Sequence, residues 1–194
     1  MGEHGLERLL ARIAGLRLAV CGDLCLDAGW FLDPVGSELS AETGRPGQAV
    51  ARQSWTPGGA ANIAALGAEV RVLGLVGDDP FGRELDRLLR GAGIGTAWVR
   101  VAPGPFATIT FAKRRLLGRE LERVDFGFAN RPGREEREAL LGRVADALAW
   151  ADAFILNQQV PGTLEDRPFR EALVRLLEGR RDRVVLLDSR HDTD

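Results

Sequence analysis

Two carboxylates, a glycine pair and an asparagine stand beside apolar runs in a pattern that can do chemistry. Asp23 and Asp27 follow the run Leu16 to Cys21. A carboxylate at the C-terminal end of a buried strand can accept hydrogen bonds from two hydroxyls of one ligand, and open α/β sheets hold their ligands at such strand ends. Gly58 and Gly59 let the backbone approach a ligand with no Cβ in the way, and their amides can be aimed at it. Asn62 offers a donor and an acceptor on the first turn of the next helix. Taken one at a time, the same residues read rather as a turn aspartate, a helix entry and a surface asparagine. Only the combination points to a site.

Other constellations resolve into structure. Cys21 and Cys25 are not spaced as Cys-x-x-Cys, and no histidine pair stands near them to complete a zinc site. They read as two small apolar side chains in a reducing compartment, which predicts a cytoplasmic protein. Gly91-Ala92-Gly93-Ile94-Gly95 follows a helix rather than a strand, so it reads as a helix end and turn, not a nucleotide loop. In Gly77-Asp78-Asp79-Pro80, the proline at a first helical position makes Asp79 an N-cap. Ser189-Arg190-His191-Asp192 holds triad residue types, but consecutive residues cannot meet in triad geometry.

The elements that would position these groups emerge from periodicity. Leu6, Leu9, Leu10 and Ile13 form one stripe of an amphipathic helix over Leu6 to Ala14. Leu16 to Cys21, Val70 to Val76, Ala153 to Leu156 and Val184 to Leu187 read as buried strands. Helices are expected over Ala60 to Leu66, Phe81 to Leu89, Glu135 to Trp150 and Phe169 to Leu177. Helices between buried strands predict parallel βαβ units covered on both faces. Gln48 to Trp55, Ala107 to Ala112 and Leu121 to Phe126 fit that scheme poorly and read as a small additional sheet. The last strand reaches Asp188 with no covering helix after it, so the sheet reads as interrupted there, with its edge exposed.

With 194 residues the chain suffices for one domain with a real core. Its net charge of −2 argues against wholesale binding to nucleic acid or an anionic membrane, since acidic neighbours dilute Lys113-Arg114-Arg115 and Arg180-Arg181. Glu3, Arg8 and Arg12 interrupt the opening segment, which therefore reads as neither a signal peptide nor a membrane anchor.

Two stretches together resemble the N-terminal half of PfkB (ribokinase-type) carbohydrate kinases. One is Ala19-Val20-Cys21-Gly22-Asp23-Leu24-Cys25-Leu26-Asp27 with Trp30. The other runs from Pro57-Gly58-Gly59-Ala60-Ala61-Asn62 through Leu66-Gly67-Ala68 to Val76-Gly77-Asp78-Asp79-Pro80-Phe81-Gly82. The Gly-Asp-x-x-Leu-Asp segment and the nearby tryptophan are most similar to the heptose-phosphate kinase branch. Arg123-Val124-Asp125-Phe126, Asn157-Gln158-Gln159 and Leu187-Asp188-Ser189-Arg190 match further.

The resemblance implies a ribokinase-like, mainly parallel α/β sheet covered by helices, with residues 1–194 forming the N-terminal portion of a sugar kinase domain. It implies a small β lid, built within residues 30–56 and 107–126, that covers the sugar and can mediate a homodimer. The substrate implied is a sugar or sugar phosphate, contacted by Asp23, Asp27, Gly58, Gly59, Asn62, Thr108 and Gln158. Lys113, on the same returning lid strand as Thr108, reads as a solvated surface lysine. ATP and Mg²⁺ are implied as well, with no residue of this chain assignable to either. The family's catalytic Gly-Ala-Gly-Asp segment, whose amides cradle the phosphoryl group and whose aspartate takes the hydroxyl proton, does not occur in the sequence. The expected activity is thus ATP-dependent phosphorylation of a sugar hydroxyl by a protein whose catalytic half is not in this chain. The alternative is a non-catalytic sugar-binding or dimerising module. A second departure is the short step from Asn62 to Leu66-Gly67, about one helical turn less than is usual. Its loss removes about 6 Å of helix and rotates the remainder by about 40°. A dinucleotide-binding domain is disfavoured because no Gly-x-Gly-x-x-Gly follows Cys21.

Overall fold

The computed structural model of the chain describes residues 3–161, 166–180 and 182–190; His191 and Asp192 lie outside them. α1 (Glu3–Ile13) leads into β1 (Arg17–Gly22), β2 (Cys25–Leu32) and β3 (Val50–Thr56). Next come α2 (Gly59–Ala65), β4 (Glu69–Gly77), α3 (Pro80–Gly91) and β5 (Gly95–Ala102). A hairpin of β6 (Ile109–Leu116) and β7 (Arg119–Phe126) precedes α4 (Arg134–Trp150), β8 (Ala153–Gln158), α5 (Arg167–Glu178) and β9 (Val184–Ser189).

These elements build two sheets. The larger has the order β5-β4-β1-β8-β9, with every neighbouring pair parallel. Its inner strands are apolar on both faces because helices cover both. Leu18 and Val20 face α2 and α3, where Val70, Val72, Leu85 and Leu89 close one core layer. Ala19 and Cys21, one residue out of phase, face α4 and α5 and pack with Val144, Leu148, Phe154 and Phe169. The chain steps outward from β1 through β4 to β5, then restarts on the other side at β8. The order therefore reverses between β1 and β8, and a crevice opens there at the strand C-termini.

The second sheet has the order β3-β2-β6-β7, with a central parallel pair flanked by antiparallel ones. Its strands include the weakly alternating stretches of the sequence, and it begins earlier than expected, at Cys25. Leu26 packs into the α2/α3 core layer and Ala28 is equally buried, whereas Asp27 points to the opposite face.

The helices start where their caps are written. The Asp79 side chain accepts the Gly82 amide (2.8 Å) with Pro80 behind it, and Asp166 accepts the Phe169 amide (3.0 Å). Three features depart from the sequence reading. β2 and β5 are strands that the periodicity does not reveal. The α1 stripe is not a buried face: Ile13 packs on the core, but Leu6, Leu9 and Leu10 are exposed. β9 carries four consecutive apolar residues, Val184 to Leu187, that are 38–58% exposed. α2, by contrast, has the seven-residue length expected of it and turns at once through Leu66 and Gly67 into β4.

Candidate functional site

A pocket of about 280 Å³ opens in the crevice between the two sheets, at the C-terminal ends of β1 and β8. Asp23, Asp27, Gly58 and Gly59 all line it. So the two segments singled out in the sequence do converge. Much of the remaining wall comes from far along the chain and includes Phe111, Lys113, Arg123 and Arg190.

The crevice floor is held by Gly22 and Asp23. Gly22 has φ 124° and lies so close to the Asn157 carbonyl that a Cβ would collide with it, so only glycine lets β1 and β8 end side by side. Asp23 is 4% exposed, and its Oδ2 accepts the amides of Gln159 (2.7 Å) and Val160 (2.9 Å). The Asn157 side chain donates back to the Asp23 carbonyl (2.9 Å). This carboxylate fixes the loop after β8 as well as facing the pocket, a charge-assisted pairing of the stronger kind.

Asp27 is the more accessible carboxylate. On β2 it stands opposite Phe111 of β6, while Gly29 stands opposite Lys113. Lys113 therefore reaches back one rung, over a glycine that leaves the way clear, and its Nζ donates to Asp27 Oδ1 at 2.5 Å. That corrects the reading of Lys113 as a solvated surface lysine: its side chain is 27% exposed and lies in the pocket wall. Arg123 of β7 stands opposite Lys113 across the β6–β7 pair. Its guanidinium is oriented by Asp125, at 2.6 and 2.8 Å, and lies over the Phe111 ring, 4.8 Å from the centroid. Burial, reinforced by the charges of Asp23 and Asp27, pushes the Cys25 thiol up from its ordinary pKa. Cys25 is thus a neutral group in the wall, in keeping with its reading as a small apolar side chain.

The glycine loop enters on the other side. Gly58 is the N-cap residue of α2 at φ 65°, and its place under the Cys25 carbonyl leaves no slack for a Cβ. Gly59 has open space where a side chain would stand.

Three of the expected contacts lie elsewhere. Asn62 is exposed on α2 and is not in the pocket wall. Thr108 is fully buried at the base of β6, where its Oγ1 accepts the Gly77 amide (2.9 Å). Gln158 is 4% exposed and accepts from the Ser189 hydroxyl (2.9 Å). It shares the strand parity of Phe154 and Leu156, which are buried against α4 and α5, so its side chain turns away from the crevice. Gln159, one residue on, lines the pocket instead. Period-2 alternation from Phe154 already distinguishes the two glutamines. Arg123, Asp188 and Arg190 stand in segments that the family resemblance marks, but no local periodicity aims them at a pocket; the sheet pairings bring them to the wall.

Among the described residues, no group of three or more His, Cys, Asp or Glu side chains is arranged to hold a metal ion. No described helix is long and apolar enough to cross a membrane.

Comparison with known proteins points one way. The profile of the pfkB family of carbohydrate kinases matches residues 30–180. A D-beta-D-heptose 7-phosphate kinase of Bordetella bronchiseptica is 34% identical over 158 residues, covering 79% of this chain and 49% of that protein. The bifunctional protein HldE of Coxiella burnetii is 36% identical over 152 residues, covering 76% of this chain and 31% of that protein. The chain thus spans about half, or less, of the curated relatives it matches. Among solved structures, a putative phosphofructokinase from Staphylococcus aureus aligns over 90% of this chain and 53% of its own, with TM-score 0.63 and 13% identity. Arabidopsis thaliana ribokinase, complexed with ribose and ATP, aligns over 91% of this chain and 54% of its own, with TM-score 0.59 and 15% identity. At such identities these two share the fold.

Proposed function

Since this chain belongs to the pfkB family of carbohydrate kinases, we propose that its crevice is the sugar site of an ATP-dependent kinase acting on a heptose phosphate or a close relative. The observation that carries this reading is the composition of one wall: Asp27 paired with Lys113, and Arg123 oriented beside them. Asp27 can accept from two sugar hydroxyls, which compete with Lys113 for its oxygens. A ligand that takes up Asp27 and also carries a phosphate keeps Lys113 and Arg123 compensated, because the phosphate replaces the carboxylate as their partner. The amides around Gly58 and Gly59 supply donors on the facing side.

The second sheet forms a roof over this pocket. In the proposed reading it acts as the lid: it keeps water from the reacting hydroxyl and so favours transfer to sugar over hydrolysis. ATP would supply the phosphoryl group and Mg²⁺ would neutralise its charge. The described residues offer no ligand set for that ion. The sequence holds no Gly-Ala-Gly-Asp segment. A second reading of the same site is a protein that binds the sugar without turning it over.

Calorimetric titration with D-beta-D-heptose 7-phosphate and with the free heptose tests the site. The phosphate ester is expected to bind more tightly, by about tenfold or more at low salt, with the advantage shrinking as salt rises. Equal affinities would remove the phosphate from the proposal, and no binding of either would remove the site. Sugar-dependent ADP release from ATP and Mg²⁺ separates the kinase reading from the binding-only one.

A further inference from the structure

The Gly77-Asp78-Asp79 segment takes no part in the pocket, yet it holds more hydrogen bonds than a helix cap requires. Asp79 Oδ1 accepts the Gly82 amide at the start of α3, and its Oδ2 accepts the Thr108 amide at 2.7 Å. Thr108 returns the connection, its Oγ1 accepting the Gly77 amide at the end of β4. Two glycines make the fit possible. A Cβ on Gly77 would run into the Phe106 carbonyl and lie 2.5 Å from Asp79 Oδ2. A Cβ on Gly82 would meet the Gly77 carbonyl and lie 2.7 Å from Thr108 Oγ1.

A second clasp sits one residue away. The Asn130 side chain, just past β7, accepts the Ala107 amide (3.1 Å) and donates to the Ala107 carbonyl (2.7 Å). Ala107 and Thr108 are the residues from which β6 springs, and Asn130 lies where the chain leaves β7. Both legs of one hairpin are therefore tied at the base, to each other by Asn130 and to the larger sheet by Asp79. Beyond the clasps, that hairpin carries Phe111, Lys113 and Arg123 to the pocket.

We infer that Asp79 and Asn130 are positioning residues: they lock the base of the β6–β7 hairpin and so set where its side chains stand over Asp27. The inference concerns the order of the hairpin, and its consequence for ligand rests on the sugar-phosphate reading above. One carboxylate accepts from two backbone amides belonging to different parts of the fold, which an asparagine at the same place cannot do, because its amide nitrogen would confront one of them. A mere helix cap would serve α3 alone.

The test is hydrogen exchange read by segment, on the chain with Asp79→Asn, with Asn130→Ala, and with Leu173→Ala as a control in α5, remote from the hairpin. Amides of residues 109–126 are expected to exchange at least about tenfold faster in the first two variants, with β1, β4 and β8 unchanged. The control should lower overall stability without singling out the hairpin. Exchange rising equally in both sheets, in step with loss of global stability, would overturn the inference and leave Asp79 an ordinary cap. A parallel titration with heptose 7-phosphate tells the two proposals apart. Fast hairpin exchange with about tenfold weaker binding supports both. Fast hairpin exchange in a protein that never bound the probe supports the clasps and overturns the sugar-phosphate site.

Discussion

The ammonium of Lys113 meets a carboxylate oxygen of Asp27 at 2.5 Å, across 86 residues of sequence. Neither side chain is sealed from solvent, at 27% and 36% exposure, so the pair adds little to stability by itself, no more than about 1 kcal/mol. Its weight falls on what enters the pocket.

Asp27→Ala should weaken binding of heptose 7-phosphate by about 1.5–3 kcal/mol for each charge-assisted hydrogen bond it removes. Lys113→Ala should behave differently, costing the phosphate ester more than the free heptose. Titration of both ligands against both variants measures this as a double difference. A Lys113→Ala variant that loses the two ligands in equal proportion would place the phosphate elsewhere.

A second prediction concerns acid. Asp152, in the turn between α4 and β8, accepts from the Arg17 amide (2.9 Å) and from its guanidinium (2.8 and 3.2 Å). Those bonds, with the arginine charges around them, hold its carboxyl down to about 2. A group with a depressed folded pKa contributes stability above its unfolded value, and that contribution fades as pH falls through the folded one. Asp152→Asn should therefore melt below the parent chain at pH 7 and at pH 5 by a constant margin. The margin should close between the ordinary value of 3.8 and about 2. Thermal melts across that range decide it, and a margin that persists at the acid end would mean the charge is not what matters.

The third prediction is about association. Among the described residues, β9 forms the outer edge of the larger sheet, with exposed apolar residues on both faces. Such an edge invites pairing with another chain. Sedimentation should show mass rising with concentration, and Leu186→Lys with Leu187→Glu should weaken the association at least about tenfold. Because both positions are more than half exposed, the folded chain itself should lose no more than about 0.5 kcal/mol each. Identical sedimentation of parent and variant would clear β9 of the role.

The legible parts of this protein are those in which the controlling contact is local. Asp79 followed by Pro80 announces the start of α3, and the spacing of Leu140, Leu141, Val144 and Leu148 announces α4. The family motif, itself a run of near neighbours, locates Asp27 and the Gly58–Gly59 loop. β2 is hidden because Asp27 and Gly29 interrupt its apolar character, although Leu26 and Ala28 keep the alternation of a half-buried strand. β5 is hidden because the glycines at its start read only as a turn, while Trp98, Val99 and Val101 just after them carry strand character. Lys113 misleads for a different reason: nothing near it in sequence says that β6 will lie parallel to β2. Thr108, a polar residue before a strand, looks the same whether it faces a ligand or a backbone amide. The contact with Gly77 that separates the two cases comes from another element.

The parallel pairing of β2 with β6 also bears on the order in which the molecule assembles. Asp27 to Thr56 closes within one excursion of chain, as β2 and β3 fold back on each other. Cys25 can meet Ile109 only after β4, α3 and β5 have been laid down between them. Closing so long a loop carries its entropic cost before any contact repays it, and pairings of this kind are slow. The roof of the pocket is thus a late event in folding. During refolding, protection of the β6 amides should lag behind that of β1 and β4, and a nascent chain has no complete pocket until its synthesis has passed the hairpin.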